Sequence, residues 1–106
     1  MIEQIINDFT YKIGKNASEN TELINLSNTS WYWFHLEKFP SCHLVVCTEE
    51  LTNEMIGIAG ELVKQNSKYK FKNIGINYCK IDNLILGKEP GSVCFKSNKQ
   101  LKKFNL

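Results

Sequence analysis

The sequence predicts an α+β domain: a mostly antiparallel sheet with one main amphipathic helix, at about 52–68, packed on one face. Two observations lead there. Most apolar stretches are short and rich in β-branched and aromatic residues, in the order strands, one helix, strands. Only one segment carries its apolar residues at helical spacing. At 106 residues the chain makes a single domain, 1–106.

Phe9, Tyr11 and Ile13 alternate with Thr10 and Lys12, the pattern of a half-buried strand. Residues 14–30 are rich in Asn, Ser and Thr around an apolar knot at Leu23, Ile24 and Leu26, and read as a loop holding at most a short strand or turn. "WYWFHLE", 31–37, is a strand by its aromatic content, and Pro40 ends it. "CHLVVCT", 42–48, is a second strand, antiparallel to the first because the link is short. Then the period changes. Met55, Ile58, Ala59, Leu62 and Val63 fall at helical spacing, with Thr52 as N-cap, Glu54 in the first turn and Lys64 and Lys68 near the end, as the helix dipole favours. Gly57 and Gly60 cost roughly 1 kcal/mol each if exposed, or else let the helix lie close to the sheet. "NIGINYCKI", 73–81, is the next strand, and a turn follows around Pro90 and Gly91. "SVCFK" and "LKKF" read as a closing hairpin over "SNKQ".

The charge is unevenly spread. Residues 1–63 hold three lysines and nine acids, whereas residues 64–106 hold ten lysines and two acids. Such a split suggests a basic face for a polyanion, the plainer reading being a solvated surface whose charges mix again on folding. All 13 basic residues are lysine, which removes bidentate arginine readout. The four cysteines form no C-x-x-C pair and sit mostly among apolar residues, so they read as reduced, buried hydrophobes. No apolar run approaches the roughly eighteen residues of a membrane span, and "MIEQIINDF" is not a secretory signal, so no membrane association and a cytoplasmic location are expected.

Four groups of residues bear on function. "GKNASEN" has Gly14 and Lys15 but neither the first glycine nor the Ser/Thr of the phosphate-loop pattern, so it is no nucleotide-hydrolysing loop. Lys15, Asn16 and Asn20 either contact phosphate and sugar or form an ordinary turn with asparagines bonding nearby backbone. His35 and His43 lie on adjacent strands and can share a face. Cys42, next to His43 and pointing the other way, cannot join them on a metal, so no metal and no cofactor are expected. "KQNSKYKFK" interleaves Lys64, Lys68, Lys70 and Lys72 with Tyr69 and Phe71, suiting phosphate neutralisation and base stacking, or else anchoring the helix end. Lys80, Lys96, Lys99, Lys102 and Lys103 extend that charge. No acid pair, nucleophile elbow, Cys/His couple or dinucleotide fingerprint is present, so no enzyme is expected.

Taken in order, "IGKNASENTEL", "WFHLEKFPSCHLVV", the helix, "NIGINYCKI" and "KEPGSVCF" resemble the NFACT-R domain, the RNA-binding module of the NFACT ribosome-associated quality-control factors. The resemblance covers residues 13–95. Gly14, Lys15, Asn16, Ala17 and Asn20 match its first motif, Trp33, Phe34 and His35 the second, His43 the third, and Pro90 and Gly91 the last. Ser41-Cys42 stands where the family has Gly-Ser, and Ser18 where an arginine is frequent. The resemblance implies RNA (tRNA or rRNA) as partner, work on the large ribosomal subunit, and no catalysis. Standalone versions exist, one associated with DNA binding, which makes DNA a second candidate partner. The residues expected to contact nucleic acid are therefore Lys15, Asn16, Asn20, His35, His43, Lys64, Lys68, Lys70, Lys72 and Lys80. A second reading takes the domain as a protein-docking module anchored by Trp31, Tyr32 and Trp33.

Overall fold

The strand His43–Val46 is buried along its whole length, and that burial sets the layering. A strand with one solvated face alternates buried and exposed residues; one buried throughout needs cover on both sides of its sheet. The computed structural model describes all residues, 1–106. Its elements run β1 (Ile2–Ile6), β2 (Phe9–Gly14), α1 (Ala17–Leu26), β3 (Tyr32–Leu36), β4 (His43–Val46), α2 (Asn53–Gln65), β5 (Gly75–Lys80), a 3-10 turn (Ile81–Asn83), β6 (Leu84–Leu86), β7 (Val93–Phe95) and β8 (Lys102–Asn105). Six strands form one antiparallel sheet in the order β1-β2-β4-β3-β5-β8, and β6 pairs with β7 in a separate small sheet.

The side chains sort by strand alternation. Tyr11, Ile13, Phe34, Leu36, Leu44 and Val46 meet Met55, Ala59 and Val63 of α2 in one core. Trp33, Val45 and Cys79 point the other way, meeting Leu23 and Ile24 of α1 and Ile81 and Leu84 beyond β5 in a second core. Burying each of these large apolar side chains stabilises the fold by about 1.5–3 kcal/mol. The fold is thus α+β with a mostly antiparallel sheet, as the sequence predicts, but helices cover both faces.

α2 lies within the expected 52–68. Thr52 caps it, its hydroxyl accepting the Met55 N–H at 3.2 Å. At the other end Asn66 closes it, donating both its backbone N–H and its side-chain amide to the Leu62 carbonyl. The two helix glycines differ. A Cβ on Gly60 would stand 2.6 Å from the Phe104 ring, so its bare backbone is what lets α2 approach β8; a Cβ on Gly57 would meet nothing within 4 Å.

Three expectations are corrected. Residues 14–30 are not a loop: Ala17–Leu26 is helical, because Asn16 caps it and Leu23 and Ile24 have a core to enter. No hairpin closes over "SNKQ": β7 pairs with β6, and β8 crosses to pair with β5. The cysteines are all free, but only Cys42 and Cys79 are buried; Cys47 is half-buried and Cys94 exposed. β1, which the sequence pattern did not single out, hairpins onto β2 through Asn7 and Asp8, both at positive φ.

Candidate nucleic-acid interface

The ends of β2, β3 and α2 and the beginnings of α1 and β4 meet around a cleft of about 550 Å³. The cleft starts from the α1 cap. Asn16 Oδ1 accepts the Glu19 N–H at 2.9 Å, and the Glu19 carboxylate accepts the Lys15 N–H at 3.0 Å. This reciprocal arrangement satisfies two backbone donors at the chain's entry into the helix. The bond from Lys15 is the main reason the Glu19 carboxyl sits below the ordinary carboxylate range. It leaves the Lys15 side chain exposed on the cleft wall.

One turn on, Asn20 is buried, and its Oδ1 accepts the backbone N–H of His43 at 3.2 Å. Gly14 must be bare here, because a Cβ would run into the Asn20 side chain. His43 is itself buried. Its Nδ1 accepts the Trp33 indole N–H at 3.1 Å, which puts the imidazole proton on Nε2. Burial, then the neighbouring His35, pushes the His43 pKa down to about 3, against a smaller opposing hydrogen bond to the Gly91 backbone.

His35 is half-buried and stacks on Trp33, with ring centroids 5.6 Å apart, and meets His43 edge-on at 4.9 Å. Its Nδ1 lies 2.5 Å from the Leu36 carbonyl and so carries the proton, leaving Nε2 as an acceptor. Burial lowers its pKa, partly offset by that bond. Two neutral imidazoles of opposite tautomer therefore stand side by side. No group of three His, Cys, Asp or Glu side chains gathers here or elsewhere to hold a metal ion.

The turn before β7 completes the wall. Gly91 has φ +82°, a conformation other residues rarely adopt, and its N–H donates to Thr21 Oγ1 at 2.7 Å. A Cβ there would crowd Ala17 at 3.2 Å. The last motif is thus seated on the first.

The structure brings Lys15, Asn16, Asn20, His35, His43 and Lys68 to this cleft. Asn20 and His43 hold its floor from below the surface, whereas Lys15, Asn16 and Lys68 are exposed at its rim. The other four expected residues lie elsewhere. Lys64 Nζ bonds the Leu106 carbonyl at 3.3 Å. Lys70 and Lys72 are exposed beyond the cleft, near Phe71, which is half exposed and edge-on to Phe39. Lys80 lines a second groove, its Nζ 5.9 Å from the Tyr32 ring centroid. Sequence reasoning did not find Thr21, Ser41, Asn66 or Ser67. Thr21 anchors Gly91 and the other three line the cleft, but isolated Ser, Thr and Asn carry no pattern. Trp33, the middle of the expected docking cluster, is buried and is no surface anchor; Trp31 and Tyr32 are half-buried.

Comparison with known proteins finds relatives of this chain. Coiled-coil domain-containing protein 25 of Mus musculus is 29% identical over 109 residues, covering 92% of this chain and 52% of that protein. Its Bos taurus counterpart is 28% identical over 104 residues, covering 89% of this chain and 50% of that protein. The chain thus spans about half the length of the curated relatives it matches. The solved C-terminal part of the fibronectin/fibrinogen-binding protein from Streptococcus suis superimposes with a TM-score of 0.87 at 22% identity, over 98% of this chain and 43% of that one, and shares the fold. The model of the NFACT protein RNA binding domain matches residues 5–97, and the chain belongs to that RNA-binding domain family.

Proposed function

We propose that this domain is a non-catalytic module that holds structured RNA, tRNA or ribosomal RNA, at the cleft between α1 and the end of α2. Its setting is the cytoplasm, on the large ribosomal subunit, in ribosome-associated quality control. Duplex DNA is a weaker ligand of the same surface. One observation carries the reading: motif residues separated by up to 77 positions, from Gly14 to Gly91, interlock around one cleft with lysines at its rim.

The chemistry follows from the parts. Lys15 and Lys68 neutralise phosphates. The Asn16 and Ser41 side chains position the backbone, which carries register rather than sequence. His35 Nε2, an acceptor in a neutral ring, takes a donor such as a ribose 2′-hydroxyl, the group that separates RNA from DNA. The two neutral histidines keep the floor uncharged, so the attraction comes from the rim lysines and falls with salt.

The test is a titration of labelled tRNA, single-stranded RNA of similar length and duplex DNA at two salt concentrations. Salt-sensitive binding that prefers structured RNA is expected. Binding to none of the three, or binding indifferent to salt, overturns the proposal.

A further inference from the structure

A second groove of about 500 Å³ lies at the other end of β3 from the cleft, on the opposite face of the sheet. Register places its walls. Tyr32 pairs with Lys80 across β3 and β5, and Tyr78 pairs with Lys102 across β5 and β8. Directly paired residues share a face, so these four side chains stand together on the α2 side, beside Phe34. Lys99 joins them from the loop before β8, and Leu51 and Ile56 close the far wall. By alternation His35, on the cleft side, lies three residues along β3 from Tyr32, roughly 10 Å by strand rise, and faces the other way.

Its chemistry differs from that of an ordinary solvated surface. No carboxylate lines the groove. Lys80, Lys99 and Lys102 have no ion pair, whereas Lys12, Lys96 and Lys103 are each within 4 Å of an acid. The Tyr78 ring is held flat against Phe34, centroids 5.1 Å apart, and edge-on to Phe104, so it presents a fixed aromatic edge without further ordering. Lys80 lies over the Tyr32 ring, its Nζ 5.9 Å from the centroid, and Lys99 and Lys102 line the same groove. Three unpaired cations beside two tyrosines suit an unpaired nucleic-acid strand, with phosphates on the lysines and bases against the aromatic side chains. Lys102 stands on β8, the open edge of the sheet.

We propose that this groove is a second RNA contact, which takes a single-stranded segment while the cleft holds structured RNA. The inference rests on the RNA-binding reading above and makes the domain two-sided, with one RNA crossing the β8 edge.

The experiment compares the wild type with two charge-matched variants, K80Q/K99Q/K102Q in the groove and K12Q/K38Q/K96Q outside both sites. The ligand is a tRNA with an added single-stranded tail, alongside the same tRNA without it, each over a series of salt concentrations. The tail should strengthen wild-type binding, and the groove variant should lose that gain. With the tailed RNA its salt slope should fall by about 2, three contacts at roughly 0.7 each, and its affinity at least tenfold, while the control variant changes little. If the wild type binds no RNA, the reading of the domain fails and this inference with it. If the wild type binds but the tail adds nothing, or the two variants behave alike, the groove is no RNA contact and the cleft reading stands. Displacement of the tail by poly-glutamate but not by single-stranded RNA also overturns the inference, assigning the groove to an acidic protein.

Discussion

Asn20 Oδ1 accepts the backbone N–H of His43, tying the helix that the first motif opens to the strand that begins at the third. Both residues are buried, so the bond has no water to replace it. Asn20→Ala leaves the His43 N–H unpaired and should cost about 1–3 kcal/mol, which in a domain of this size lowers the melting temperature by roughly 4–8 °C per kcal/mol. Gly14→Ala forces a Cβ against the same Asn20 side chain and should also destabilise. Because Asn20→Ala removes the side chain that a Gly14 Cβ would strike, the double variant should lose less than the sum of the singles. Thermal unfolding of the three variants measures this; strict additivity would show that the two residues do not interlock.

The helix glycines should respond in opposite directions. Gly57→Ala adds a methyl group to open space and removes a flexible residue from a helix interior, so it should stabilise by up to about 1 kcal/mol. Gly60→Ala drives a methyl group into the Phe104 ring and should destabilise by about 1–3 kcal/mol. Denaturant midpoints of the two variants check the pair. Equal shifts of the same sign would mean that α2 does not lie on β8 as described.

Acid should weaken the fold through the histidine pair. Both imidazoles have folded pKa values below the ordinary 6.5, His43 near 3. Between those limits the unfolded chain binds protons that the folded chain refuses, so stability is fully present above about pH 6.5 and falls as pH drops toward 3. The slope contributed by His43 approaches about 1.4 kcal/mol per pH unit. His43→Gln should flatten the stability–pH curve in that window although it lowers stability at neutral pH. A variant with the wild-type slope would place the acid sensitivity elsewhere.

Much of the sheet is legible in the sequence because its central strands carry strong patterns. "WYWFHLE" and "CHLVVCT" are dense in aromatic and β-branched residues, and the apolar spacing of 55–63 admits only a helix. α1 is hidden because its composition is that of a turn and only Asn20, Leu23 and Ile24 are buried. Its legible signal is the cap, Asn16 followed three residues later by Glu19. The all-buried run HLVV also carries the news that both faces are covered, which an alternation template passes over. β1 is an edge strand with only Ile2 and Ile6 half-buried, too weak a pattern to stand out. The partners of β7 and β8 are chosen by tertiary contacts that no local spacing encodes.

The candidate site was legible as residue types but not as roles. Lys15, Asn16 and Lys68 are exposed at the rim, whereas Asn20 and His43 lie beneath it, where they fix its shape. The same residue type caps a helix in the open at Asn16 and is a buried brace four residues on, at Asn20.

The most direct test of the account is the RNA affinity of Lys15→Glu/Lys68→Glu against wild type at low salt, with melting temperatures recorded for both. Both lysines are exposed, so the fold should be retained. The cleft reading predicts an affinity lower by roughly tenfold or more and a shallower salt dependence, at an unchanged melting temperature. Equal affinity for the two proteins would contradict it and remove the cleft from RNA binding.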